Sequence, residues 1–348
     1  MTDTLTRATT PPSPARTRSS RGTAVLVFAV LALVAVTVAS IGLGARSISP
    51  PEVVRILLDP DAGAYNAHVL WTERVPRTFL GLAVGAALGA SGLIMQALTL
   101  NPLADPGILG IEQGAAMTVV VGILFLDITG VTAYFWLALV GAALTAALVY
   151  LIGTRSNTGG STLGLVLAGV AVAAVMSSLI TLLVVRDEAV FAHLRFWSVG
   201  QLTGRAKVLD EIAPFVLVGL LLALPLGRTL NILGMGDDAA RGLGVRVERA
   251  RLASAAIAVL LCAAATAAVG PVAFVGLAAA HCARLLVGAD HRWSLPLSMA
   301  LGSVLLLTAD TAGRLIIDHG EIQVAVMTAA VGTPFFIWLA RRRDLVRV

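Results

Sequence analysis

Lysine is almost missing from this chain: Lys207 is the only one in 348 residues. Val208 follows it where a P-loop would need Ser or Thr, so the chain carries no nucleotide-phosphate cradle of its own, and any ATP-driven work requires a partner. Cysteine is scarce as well. Cys262 and Cys282 lie in apolar surroundings without CxxC or Cys/His ligand spacing, which sets aside a zinc site or a redox pair and leaves both as core residues. Charged residues make up only 13% of the chain, against about 25% in a soluble domain. The formal net charge of +5 comes from arginine. No basic-aromatic interleaving accompanies it, so a nucleic-acid partner is set aside too.

What fills the chain instead is apolar. Hydrophobic residues reach 57% and mean hydropathy is +0.90, the composition of a polytopic helical membrane protein. Glycine is abundant at 34 residues and recurs inside the apolar runs, where small residues let helix backbones approach closely. Residues 1–23 are Thr/Ser/Pro/Arg-rich without periodicity and read as a disordered tail, and residues 24–348 as one membrane domain. The first apolar run, 24–43, is too long for a signal h-region and reads as an uncleaved helix. Further runs at 77–98, 107–126, 131–153, 161–185, 212–226, 251–269, 271–287, 294–316 and 322–340 bring the expected spans to ten. Ten alternating spans put 16 of the 25 basic residues on the side of both termini and 9 on the other. The positive-inside rule then predicts cytoplasmic termini, a cytoplasmic loop over 227–250 and an external loop over 45–76.

Two polar segments interrupt the pattern. Asn101-Pro-Leu-Ala-Asp-Pro-Gly107 breaks an apolar run, and its prolines force a nonhelical turn. In hydrocarbon such backbone is tolerated only at an interface or lining a cavity. The second segment, GMGDDAARGLGVRVERAR, combines an expected N-cap at Asp237 or Asp238, a short helix through Arg241, and terminating glycines at 242 and 244. From the residues alone it reads equally well as a docking helix or as a solvated connector.

Four stretches in this order, RVPRTFLGLAVGAALGASGLIMQALTLNPLADPGILG, LGMGDDAARGLGV, GPVAFVGLAAAHCARLLVGADHR and GEIQVAVMTAAVGTPFFIWLARR, resemble the permease subunits of ABC importers for iron-siderophores, haem and vitamin B12. The resemblance runs from about Ser47 to Arg343. It implies an all-α permease of the type II importer architecture in a bacterial cytoplasmic membrane. The subunit would pair with itself or a similar permease, receive a chelate from an extracytoplasmic substrate-binding protein, and be driven by two ATP-binding cassette ATPase subunits. The family's inverted repeat is not evident by inspection. A ferric siderophore is the default cargo, with haem and cobalamin behind it, and no cofactor or catalytic residue is implied.

Residue by residue, the resemblance assigns Arg74, Arg77 and Arg314 to docking of the binding protein, a role suited to the planar, permanently charged guanidinium. The bland reading of all three is interfacial anchoring. Asn101, Leu103, Ser161 and Thr162 match the turns that constrict the cytoplasmic end of the pathway, unless they are merely tight turns. Asp237, Asp238, Ala239, Ala240, Arg241, Gly242, Leu243 and Gly244 match the helix that couples to the ATPase as a rigid body. The chain departs from the family where Ala280-His281 replaces Pro-His, removing a kink, and where Glu321-Ile-Gln-Val-Ala325 replaces E-x-P-V-G, removing a rigid turn. His281 has no second metal ligand at helical spacing.

Three rivals come from other classes. Gly89-Ala-Ser91-Gly92 with His281 mimics an intramembrane serine protease, but GASG in a Gly/Ala-rich span is what packing alone produces. The Asp237-Asp238 pair likewise lacks the second acidic cluster of a magnesium-dependent prenyltransferase. An ion-coupled secondary transporter would bury titratable groups at mid-membrane, for which Glu112 and Asp310 are the candidates.

Overall fold

The computed structural model describes residues 16–44, 48–59, 64–155, 162–317 and 320–341. Among them the regular structure is helical: α1 (Arg16–Gly42), α2 (Pro50–Leu58), α3 (Ala64–Val69), α4 (Val75–Thr99), α5 (Ile111–Leu126), α6 (Val131–Arg155), α7 (Thr162–Arg186), α8 (Glu188–Ser198), α9 (Leu209–Ala223), α10 (Leu226–Leu233), α11 (Asp237–Gly242), α12 (Val247–Val269), α13 (Val275–Val287), α14 (His291–Leu315) and α15 (Val324–Arg341). The α1 helix begins inside the stretch whose composition reads as a tail, and residues 1–15 lie outside the described residues.

Each of the ten apolar stretches coincides with a helix: α1, α4, α5, α6, α7, α9, α12, α13, α14 and α15. Six of these, α1, α4, α6, α7, α12 and α14, contain runs long and apolar enough to cross a membrane, and α9 with α10 forms a seventh, bent by 53°. The α5 and α13 helices are shorter for a physical reason. At 16 and 13 residues and about 1.5 Å per residue they fall short of a hydrocarbon core of about 30 Å. Each is preceded by chain outside the α-helix, the 3₁₀ turn Pro106–Leu109 before α5 and the irregular stretch 270–274, with Phe274 at φ of 69°, before α13.

The external loop expected over 45–76 is largely helical. A π-helical turn, Leu70–Arg74, joins α3 to α4, and the run from Tyr65 to Thr99 forms one 35-residue helical rod. The hub of the fold is α4, with α14, α12, α13 and α9 packed around it. Apolar burial does not drive helix association in lipid, so close packing and hydrogen bonds must. Glycines on α4 permit that approach: a Cβ at Gly85 would stand 2.5 Å from Ser303 Cα, and one at Gly89 would stand 2.1 Å from the Ser298 carbonyl oxygen. Hydroxyls stitch the hub to its neighbours, Ser303 of α14 donating to the Leu82 carbonyl and Ser91 to the Ala258 carbonyl of α12, each at 2.7 Å. Leu100, with φ of 50°, ends α4 in the left-handed region just before Asn101-Pro102.

Candidate functional site

The start of α4, the end of α14 and the end of α1 meet at one end of the molecule, and the three sequence-predicted arginines meet there. Arg77 grips Asp310 with Nε at 3.2 and 3.1 Å from the two carboxylate oxygens and Nη2 at 2.6 Å from Oδ1. Its Nη1 donates to Glu321 Oε2 at 2.8 Å, and Thr203 donates to the same oxygen at 2.6 Å. Arg314 closes the cluster 3.2 Å from Asp310 Oδ2. Side-chain exposure is 1% at Asp310, 3% at Arg314, 11% at Arg77 and 31% at Glu321, so the cluster is a buried ionic knot with one edge in the open. Burial alone would push the Glu321 carboxyl up, but Thr203 and the Arg77 guanidinium outweigh it and hold it below the usual range.

Arg314, with Arg74, also caps a helix. The last carbonyls of α1 have no partner within that helix. Arg74 donates to those of Ile41 and Gly42 at 3.2 and 2.9 Å, and Arg314 to those of Ser40 and Leu43 at 3.1 Å each. Cations at a helix C-terminus also complement its dipole. Arg74 and Arg314 are therefore buried groups that tie α1 to α4 and α14. A direct docking role asks for outward-facing guanidinium groups, and in this conformation only the Arg77–Glu321 edge reaches solvent. Asp310, the expected proton or sodium carrier of the transporter reading, is instead the shared anion of two arginines.

At the opposite end of α4 lies the second predicted segment. The loop expected over 227–250 is built from α10, α11 and the first turn of α12. The N-cap of α11 is Gly236, with φ of 95°, rather than Asp237 or Asp238. Both acids sit in the first helical turn, where they face the positive end of the dipole. The predicted stop holds. The N–H of Val245 bonds the Ala240 carbonyl at 3.0 Å, the N–H of Gly244 bonds the Arg241 carbonyl at 2.9 Å, and Gly244 takes φ of 81°. These bonds make a Schellman motif, which requires the left-handed residue that glycine supplies. Ala240 is fully buried in a small cluster with Leu233 and Val247, against which Leu98 of α4 packs. The polar side of α11 carries exposed pairs, Arg251 with Asp237 at 2.8 Å and Arg241 with Glu248 at 2.9 Å. A compact, capped helix is thus held against the end of the hub helix, with Arg241, Gly242, Leu243 and Gly244 exposed.

The Asn101–Gly107 turn satisfies its own backbone: Asn101 Oδ1 accepts from the Leu103 N–H at 3.0 Å, and Asp105 Oδ1 from the Gly107 N–H at 2.8 Å. Burial raises the Asp105 carboxyl despite that bond. Asn101 and Leu103 are exposed. Thr162 is the first residue of α7, and Ser161 lies outside the described residues. The protease constellation is not assembled, because the Ser91 hydroxyl donates to the Ala258 carbonyl and the His281 ring lies edge-on to Phe335 with centroids 6.3 Å apart. The α13 helix runs unbroken through Ala280, as the missing proline allows. The stretch 320–323 is not helical, and the Ile322 N–H bonds the Gly313 carbonyl at 3.1 Å, which sets Glu321 beside Arg77. Sequence reasoning missed Glu321, Thr203 and Ser40 as parts of the arginine cluster. The one available signal was an acid next to the last predicted span.

Known proteins extend this picture. Residues 31–342 match the FecCD transport family. The chain is 42% identical over 279 residues to the probable siderophore transport system permease YfiZ of Bacillus subtilis, covering 80% of this chain and 84% of that one. It is 40% identical over 315 residues to the ferric enterobactin transport permease FepD of Escherichia coli, covering 90% and 94%. A solved inward-facing structure of a metal-chelate type ABC transporter superposes with a TM-score of 0.80 at 29% identity, covering 92% of this chain and 99% of that one. With its multi-pass helical fold and matching length, the chain belongs to the FecCD transport family.

Proposed function

We propose that the protein is the permease subunit of an ATP-driven importer that moves a ferric-siderophore chelate across the bacterial cytoplasmic membrane. The carrying observation is α11. A six-residue helix stopped by a Schellman motif, anchored through Ala240 on Leu98 of the hub helix and exposed along Arg241–Gly244, is built to pass a push from a partner into α4. Two ATPase subunits supply that push, since this chain has no P-loop. Asp237–Gly244 forms the coupling contact, and the turns holding Asn101, Leu103, Ser161 and Thr162 form the cytoplasmic gate. Both termini are cytoplasmic, which places the arginine cluster outside.

On that outer face an extracytoplasmic binding protein delivers the chelate. Its docking uses the rim carrying Arg74, Arg77 and Arg314, with the exposed Arg77–Glu321 edge as the contact point and the buried arginines holding the rim in shape. A second permease, identical or similar, completes the pathway. The siderophore assignment leans on the names of YfiZ and FepD. Haem is the second reading, motivated by the hemin permease HmuU of Yersinia pestis, 36% identical over 323 residues. Co-reconstitution with partner ATPase and binding protein, followed by uptake assays with radiolabelled ferric siderophores, haem and cobalamin, tests the cargo. Saturable, ATP-dependent uptake of a ferric siderophore and not of the other two is expected. Uptake of haem or cobalamin alone would reassign it.

A further inference from the structure

Where α4 ends, a cleft of about 260 Å³ opens between the last turn of α4, the exit of α10, the end of α13 and the entry to α14. Leu100, Pro102 and Met235 give it apolar walls, and Gln96, Arg284 and His291 give it a polar floor. Arg284 is the cation of that floor. Among the described residues its guanidinium donates to Gln96 Oε1 and has no carboxylate partner. The other end of the same amide, Gln96 Nε2, is buried and has no acceptor. Asp290, beside His291, does not neutralise Arg284, because its carboxylate is held by Arg292 at 2.7 Å and by the Asn231 amide at 2.7 Å. The pocket therefore presents one unneutralised guanidinium and one unmet amide donor above apolar walls.

A partly buried cation without an anion is costly, and an amide N–H without an acceptor adds to that cost. Both are relieved by one ligand group, an anion with several acceptor oxygens, which a guanidinium binds with two parallel N–H bonds. The cleft is larger than a bare ion needs, and its walls suit a ligand whose remainder is apolar. We propose that it binds a phosphate-class anion, with the phosphate oxygens on Arg284 and Gln96 Nε2 and an apolar portion against Leu100, Pro102 and Met235. A phospholipid headgroup and free phosphate share this chemistry; basic pockets between helices at the cytoplasmic end of a membrane domain bind anionic headgroups. Assignment to that side rests on the orientation proposed above, whereas the chemistry of the site does not. A ligand here touches Pro102, between Asn101 and Leu103, and also Met235, which leads into α11. It would link the proposed gate turn to the coupling helix.

Thermal unfolding of the purified full-length chain in a nonionic detergent tests this, with dihexanoylphosphatidylglycerol, dihexanoylglycerol and sodium phosphate added separately at matched ionic strength. Phosphatidylglycerol should raise the midpoint saturably and dihexanoylglycerol, which has no phosphate, should not. Arg284→Gln should weaken the half-saturation concentration by about tenfold or more, the loss of a charge-assisted hydrogen bond. Met235→Trp, at an exposed position on the mouth, should do the same by filling the cleft while leaving the charge in place, and it decides the matter if Arg284→Gln does not fold. An equal saturable response to sodium phosphate identifies free phosphate as the source, and a response to phosphatidylglycerol alone identifies lipid. No response to either, an equal response to dihexanoylglycerol, or an unchanged response in the folded variants overturns the proposal.

Discussion

The two ends of the hub helix use charge in opposite ways. At the arginine end, Asp310 is shared by Arg77 and Arg314 almost out of contact with solvent, and Arg314 joins Arg74 in capping α1. At the α11 end, Arg241 meets Asp238 at 3.7 Å and Glu248 at 2.9 Å, all three well exposed. A buried pair fixes its elements together, because removing one partner strands a charge in low dielectric. Exposed pairs are screened and contribute little, so the element that carries them can shift. The difference suits a molecule that keeps one end rigid and moves at the other.

The contrast breaks most visibly at Asp310. Asp310→Asn leaves Arg77 and Arg314 without their shared anion and should cost about 3–5 kcal/mol, seen as a large drop in thermal stability or in folded yield. Glu248→Gln, at the other end, should leave both at the wild-type value. If the two substitutions behave alike, the distinction between a buried and a solvated end fails.

At the α11 end the expected loss is in work rather than in stability. Asp238→Arg puts a cation at a helix N-terminus, and Gly242→Pro removes a backbone donor in the last turn. Both should abolish ATP-dependent uptake in reconstituted complexes while monodisperse, membrane-inserted protein is still recovered. Normal uptake by both would leave this segment a mere connector.

Gly244→Ala sharpens the comparison by a smaller step. At φ of 81° a Cβ is strained, and the Schellman stop should weaken by about 1 kcal/mol, read as faster hydrogen exchange over 237–245 with the arginine end unchanged. The smallest effect is one of pH. Because the folded Glu321 carboxyl sits below its ordinary value of 4.5, its stabilisation is complete above that value and is lost as pH falls through the lower folded value. Glu321→Gln should flatten this acid limb of stability, and an unchanged limb would mean that the Arg77–Glu321 edge contributes nothing.

Periodicity and punctuation made much of this fold legible. Ten apolar runs are ten helices because each needed only its own residues to declare itself, and Gly242 and Gly244 announced the end of α11 for the same local reason. Arg74, Arg77 and Arg314 stood out in the sequence and meet at one end of the molecule, yet their partners were not legible. Arg77 and Asp310 lie 233 positions apart, and nothing in a local window says which carboxylate a buried guanidinium will find. Asp310 was therefore read as a candidate ion carrier. Gly236 was passed over as a cap because Asp237 and Asp238 are better cap formers, but its φ of 95° is a conformation they avoid. The extra turns of Leu70–Arg74 escaped because Thr72, Glu73 and Arg74 look like loop, whereas a π-helical turn carries the helix through them into α4.

The central claim is that a partner's ATP hydrolysis, delivered at α11, drives transport through this chain. In proteoliposomes holding the permease with its ATPase partner, uptake of a radiolabelled ferric siderophore from added binding protein should require enclosed ATP, proceed without any ion gradient, and vanish with Asp238→Arg. Uptake driven by an imposed proton or sodium gradient in the absence of ATP would contradict it.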